Sequence, residues 1–210
     1  MDTNMGVTKD VIEIGESAKM ITADADFEAA GKELLRVDLA CGQMKKPGYI
    51  GIDGVNVEGV DIVHDLFKFP WPLKDNSVWD VHCAHFVEHI PHVIPGYQGE
   101  GLNLFMEELY RVLMMGGQAT IICPFYTSVR AHQDPTHCRY ITDLTFDYYK
   151  KGGIGKVDHY AAKCNFEIVH RRYVLSKEYE GLGDEARSWA LRHQWNVVDD
   201  IQFTLRKIEL

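Results

Sequence analysis

Three aspartates close successive apolar runs, and each has the chemistry to hold one part of a ligand. Val37-Asp38-Leu39-Ala40-Cys41-Gly42 sets an acid before a tight turn of small residues, where a backbone can approach a ligand closely. Ile50-Gly51-Ile52-Asp53 ends in a second carboxylate. At the carboxyl edge of an open α/β sheet such a group accepts from both hydroxyls of a ribose. His64-Asp65-Leu66 offers a third, suited to the amino group of an adenine. Each alone is matched by an ordinary solvated loop aspartate; the succession of three is the signal.

Histidine is the natural base near neutral pH, and the chain has ten. His82, His85, His89 and His92 gather around one strand end, and His132, Asp134, His137 and Arg139 share one loop. His85 and His137 are the catalytic candidates, His85 lining a site and His137 acting as base or substrate contact. The plain alternative for His137 is a bond within its own loop. The pairs invite a metal reading, but no standard ligand spacing appears, so no metal site is expected. Phe125, Tyr126, Tyr140, Phe146, Tyr148 and Tyr149 could line an acceptor pocket or simply pack the core.

Strands must position these groups. Apolar runs predict strands over Leu34–Leu39, Tyr49–Asp53, Val60–His64, Val78–Ala84 and Gln118–Cys123. They are rich in Val and Ile without strict alternation, which fits burial on both faces. Leu102, Phe105, Met106, Leu109, Val112 and Leu113 recur at helical spacing, with Glu107, Glu108 and Arg111 on the opposite face and Gly116-Gly117 as the stop. Further elements are a helix around Asp143–Lys150, a strand at Phe166–Leu175, a helix at Asp184–Gln194 and a strand at Ile201–Ile208. Residues 1–30 read as a leader, with a short strand near Val11–Ile14 and a loose helix near Phe27, and 31–210 as one domain. Only Ala40–Gly48 and Gly54–Gly59 separate the first three strands, too little for ordinary helical crossovers. Irregular loops or single turns must join them.

The chain has 210 residues, 46% hydrophobic and 25% charged, with a formal net charge of −9. A nucleic-acid platform is usually basic, so this balance argues against a nucleic-acid partner. Arg171, Arg172 and Lys177 read as solvated surface. No apolar run is long enough to cross a membrane, and the polar start lacks the core of a signal peptide. Five cysteines without a CxxC fit reduced thiols. A cytoplasmic protein with no membrane partner is expected.

Asp38-Leu39-Ala40-Cys41-Gly42, Gly51-Ile52-Asp53, Asp65-Leu66, Pro72 to Asp80, Val87-Glu88-His89-Ile90 and Glu108 to Gly117 together resemble class I S-adenosylmethionine (SAM)-dependent methyltransferases of the small methyltransferase-domain group. The resemblance runs from about Leu34 to Pro124. It implies a Rossmann-like α/β fold: a mixed, mostly parallel seven-stranded sheet with flanking helices, its crossovers abbreviated in the first half. It also implies SAM as cofactor. The turn Ala40, Cys41 and Gly42 would hold the methionine part, Asp53 the ribose hydroxyls, and Asp65 and Leu66 the adenine. Ala84 and His85 would line the sulfonium, with Asp38 as a carboxylate near the cationic end. The family's glycine loop reads D/E-x-G-x-G-x-G; here Ala40 and Met44 replace its first and third glycines. G-x-G-x-x-G is absent, which argues against NAD.

The activity implied is methyl transfer to O or N of a small-molecule or sugar-like acceptor. Alternatives are methylation of a nucleic acid or protein, or an inactive methyltransferase-like binding module. Ala84-His85-Phe86-Val87 lacks the D/N-P-P-Y/F of DNA amino-methylases, and no Pro-Cys pair stands there. Retained Asp53 and Asp65 speak against the inactive module.

Overall fold

The computed structural model describes residues 34–152 and 162–210. The leader and its two expected elements lie outside the described residues. Strands β1 (Arg36–Leu39), β2 (Ile50–Asp53), β3 (Ile62–Val63), β4 (Val78–Ala84), β5 (Leu113–Pro124), β6 (Phe166–Leu175) and β7 (Val198–Lys207) form one sheet in the order β3-β2-β1-β4-β5-β7-β6. The first five pair in parallel, and β7 lies antiparallel between β5 and β6. Among the described residues there are two α-helices, α1 (Gly101–Val112) and α2 (Asp184–His193). The expected helix around Asp143–Lys150 is a short 3-10 segment, Thr145–Tyr149. No helix among the described residues is long and apolar enough to cross a membrane.

The expectation of burial on both sheet faces holds on β1, where Val37, Asp38 and Leu39 are all buried, but not on β4 or β5. On β4, Val78, Val81 and Cys83 are buried while Asp80, His82 and Ala84 are half-exposed. On β5, Ala119, Ile121 and Cys123 alternate with Gln118, Thr120 and Ile122, and on β7, Ile201, Phe203 and Leu205 alternate with Gln202, Thr204 and Arg206. Successive side chains on a strand point to opposite faces. The apolar set therefore joins Leu102, Phe105, Met106 and Leu109 of α1 in one core. The other face carries polar rungs such as Asp38–His82–Thr120–Thr204.

That polar face explains how β1 reaches β2 without a helix. Residues Ala40 to Tyr49 are too few to cover an apolar surface, and the strands present none to them. The Lys46 amide donates to Asp38 Oδ2 at 2.7 Å. The Tyr49 hydroxyl donates to Asp80, and its ring stands edge-on to His82 at 6.4 Å between centroids. Lys45 reaches Asp61 at 2.7 Å, and the same carboxylate oxygen takes the Gly51 amide. Gly51 is required here, because a Cβ would come within 2.7 Å of Cys41 Sγ.

The connection from β3 to β4 also lacks a helix and is held by α1. Glu108 was expected on the solvent face, but it is 7% exposed. Its Oε1 accepts from the Trp71 amide at 2.6 Å and from Arg111 Nη2 at 2.6 Å. Arg111 then donates to Leu73 O, Trp71 O and Asp75. A charged fork inside the fold thus replaces the apolar seam of a crossover helix. At the far end of α1, buried Lys207 donates to Tyr110 O and Leu113 O at 2.6 and 2.8 Å. These are carbonyls that a helix end leaves without partners.

Gly116-Gly117 does not stop α1. The helix ends at Val112, and Leu113 already pairs with Val78. The register then jumps, so that Asp80 pairs with Gln118. The glycines serve this bulge: Gly116 has φ +78°, and a Cβ on Gly117 would sit 2.9 Å from Met114 O.

Candidate active site

Sheet order fixes where a ligand can enter. From β1 the chain leaves toward β2, and from β4 toward β5, on opposite sides of the adjacent pair β1–β4. Ligands bind at such a switch point, outside the carboxyl ends of the strands. Because Leu39 pairs with both Ile52 and Cys83, the next residues, Ala40, Asp53 and Ala84, stand side by side on that edge.

Both walls of the crevice carry left-handed backbone at residues other than glycine: Ala40 at φ +54° and His85 at φ +53°. Such conformations cost a non-glycine residue about 1 kcal/mol or more and gather at functional sites. The Ala40 amide donates to Ile52 O at 2.8 Å and that of His85 to Ile122 O at 2.8 Å, so strand pairing holds each in place. Ala40 occupies the place of the resembled motif's first glycine, and its backbone follows a conformation that glycine adopts freely. Replacing Ala40 by Gly is therefore expected to stabilise the protein by about 0.5 kcal/mol. The relieved strain slightly exceeds the entropy that glycine adds to the unfolded chain. Urea unfolding checks this, and a net loss would mean that the Ala40 methyl packs more than it strains.

Asp53 Oδ2 accepts the Gly42 amide at 2.9 Å and Oδ1 the Val55 amide at 2.9 Å, so the carboxylate sits beside the turn it shapes. Gly42, at φ +48°, faces open space: a Cβ there would meet nothing within 4 Å. Met44 points into solvent, 89% exposed, and leaves the turn clear. Cys41 is buried, and its thiol is pushed up to about 11 by burial, then by Asp38 and Asp53, so it stays protonated. Asp38, 3% exposed, spends Oδ2 on Lys46 and Oδ1 on His82 Nδ1 at 2.8 Å. It positions the turn. Asp65 caps its own loop, accepting the Phe67 amide at 3.0 Å. Leu66 is buried in the core, and half-buried Phe67, stacked on Phe86 at 5.4 Å, is the neighbour nearer the surface.

Beyond β4 the chain makes a single 3-10 turn, Val87–His89, and is then pressed against the start of α1. The Gly101 amide donates to His92 O at 2.9 Å. The loop after β5 folds over this turn: the Cys138 and Arg139 amides both donate to Glu88 O, at 2.8 and 3.2 Å. Arg139 Nε and Nη2 reach Ile90 O and Pro91 O. The result is a cavity of about 210 Å³ lined by His85, Glu88, His89, Pro124, Arg130, Gln133, Asp134 and His137. Whole-ligand pockets span about 300–1,000 Å³, so this one suits the reacting end of a ligand.

The two catalytic candidates therefore come together, although the sequence separates them widely. His85 Nδ1 is 3.5 Å from Glu88 Oε1 and its Nε2 is 3.9 Å from Asp200 Oδ2. Its pKa lies above the ordinary histidine value, chiefly through Glu88 and then Asp200, against burial and Arg130. Burial pushes Asp200 above the usual carboxylate range. His137 Nδ1 sits 3.1 Å from Ala131 O, so the bond within its own loop exists as well. His132 stacks on Tyr140 at 4.5 Å at the rim. Sequence reasoning missed Glu88, Arg130 and Asp200. A lone carboxylate within the otherwise apolar or aromatic run Phe86-Val87-Glu88-His89-Ile90 was the available signal for Glu88.

No family model and no curated protein sequence matches this chain. Among solved structures, it is similar to a SAM-dependent methyltransferase from Archaeoglobus fulgidus at 18% identity, over 86% of this chain and 90% of that one, with a TM-score of 0.52. It is also similar, at 13% identity and a TM-score of 0.52, to a chain in the complex of the Haloferax volcanii Trm112 methyltransferase activator with a methyltransferase, over 84% of this chain and 82% of that one. This chain has the Rossmann-like class I methyltransferase fold.

Proposed function

We propose that the protein is a SAM-dependent methyltransferase acting on an O or N atom of a small-molecule or sugar-like acceptor. The observation that carries this reading is the crevice at the β1–β4 switch point, walled by left-handed Ala40 and His85 and flanked by Asp53. The cofactor reading is supported by the open space beside Gly42, which would receive its amino-acid part, and by Asp53 beside that turn, which would take the ribose hydroxyls. The cofactor supplies a methyl group on a sulfonium. The protein's share is to hold the acceptor in line with it and to favour loss of the acceptor's proton. His85, His89, Arg130 and His137 line the acceptor side, and Tyr126 and Tyr140 of the loop after β5 are exposed. A net charge of −9 supports a small acceptor over a nucleic acid. A reducing, cytoplasmic setting belongs to the reading and is supported by five free thiols, four of them buried.

Calorimetry tests this. SAM and S-adenosylhomocysteine are expected to bind in the micromolar range, and NAD not at all. Asp53→Ala is expected to weaken both by about tenfold or more, because a charged bidentate contact is lost. Failure of both to bind the native protein would overturn the reading. Undiminished affinity in Asp53→Ala would remove Asp53 from the site.

A further inference from the structure

The geometry points to a divalent metal site formed by Glu88, His89 and His137 on the acceptor side of the crevice, selective for a transition ion such as Zn²⁺ over Mg²⁺. One ligand atom from each of these residues lies within 4.8 Å of the others. Three independent features favour a cation there.

The first is Glu88. Its side chain is 1% exposed, and neither carboxylate oxygen has a hydrogen-bond partner among the described residues; the His85 imidazole lies 3.5 Å from Oε1. A carboxylate so placed is costly unless a cation completes it.

The second is the tautomer of each imidazole. Thr136 Oγ1 donates its one proton to Asp134 Oδ1 at 2.6 Å. The bond of 2.9 Å between Thr136 Oγ1 and His89 Nδ1 must then be donated by His89. His137 Nδ1 can only donate to the carbonyl of Ala131. Both rings consequently place a proton on Nδ1, which leaves Nε2 as the nitrogen open to a ligand; that of His137 also lies 4.0 Å from Asp134 Oδ2. A metal-binding histidine is held in this way, its second nitrogen bonded to a carbonyl or to a group backed by a carboxylate.

The third is that the ligands are held together by more than their side chains. The Cys138 and Arg139 amides clamp the loop of His137 onto the carbonyl of Glu88, and the His89 and His137 rings pack at 4.7 Å. Three side chains, each able to offer a ligand atom, thus meet in one frame. Two imidazoles with one carboxylate form a set suited to Zn²⁺ or Fe²⁺, whereas Mg²⁺ prefers oxygen. Three protein ligands leave room for solvent or for an acceptor oxygen, whose proton the ion would help release to solvent. That role rests on the methyltransferase reading, but the binding does not.

The test titrates Zn²⁺, and separately Mg²⁺, into metal-stripped protein by calorimetry, with Co²⁺ absorbance as a second readout. One Zn²⁺ per chain is expected, in the micromolar range or tighter, with Mg²⁺ much weaker. Glu88→Gln, which keeps shape and removes charge, and His137→Ala should each weaken Zn²⁺ by at least about tenfold. His170→Ala, on the surface of β6, should leave it unchanged. Circular dichroism confirms that each variant is folded. S-adenosylhomocysteine binding by the metal-stripped native protein is measured alongside, which separates failure of the metal site from failure of the cofactor site. Absence of Zn²⁺ binding, preference for Mg²⁺, or equal Zn²⁺ affinity in folded Glu88→Gln and His137→Ala would overturn the assignment.

Discussion

Replacing Glu108 by alanine is expected to lower stability by about 3 kcal/mol, a fall of roughly 6–12 °C in Tm for a chain of this size. The Trp71 amide would lose its acceptor inside the fold, and Arg111 would lose both carboxylate oxygens that set its fork. An orphaned buried amide alone costs about 1–3 kcal/mol. Glu108→Gln should recover part of the loss, since an amide oxygen can still accept from Trp71. Urea unfolding of the two variants checks the sequence of effects. A change below about 1 kcal/mol in Glu108→Ala would mean that fully buried Trp71 and Leu73 hold the β3–β4 connection by packing alone.

The second large effect is expected at Gly101. A Cβ there would lie 2.0 Å from Pro91 O and 3.2 Å from Ile90 Cγ2. Neither backbone can yield without moving the start of α1 or the turn that carries Glu88 and His89. Gly101→Ala should cost about 3 kcal/mol, the upper range of overpacking, despite alanine's better helix propensity. Gly181→Ala, where nothing lies within 4 Å of the added atom, should stay within about 0.5 kcal/mol. Thermal unfolding of the pair compares them directly. Equal stabilities would show that the two segments slide apart at little cost.

Where local signals were complete, the sequence was readable. The turn Asp75-Asn76-Ser77 marked the start of β4, and the run Phe166 to Leu175 gave β6 at its observed ends. The strand order follows the resembled family, and Ala40, Gly42, Asp53, Ala84 and His85 do meet at one edge. What could not be read depends on partners distant in sequence. Glu108 looked like its half-buried neighbour Glu107 because burial came from Trp71, far up the chain. Gly116-Gly117 looked like a helix stop because nothing local reveals that Leu113 must pair with Val78. His89 and His137 showed no metal-ligand spacing, since their convergence depends on a loop bonded to the backbone of Glu88. The polar sheet face was hidden by valines and isoleucines most of which line the other side.

That loop has a mechanical consequence. Residues 138 and 139 are joined to the carbonyls of residues 88, 90 and 91, by their own amides and by the Arg139 side chain. The strand end that carries His85 and the loop that carries His137 are therefore tethered to one another where they meet at the crevice.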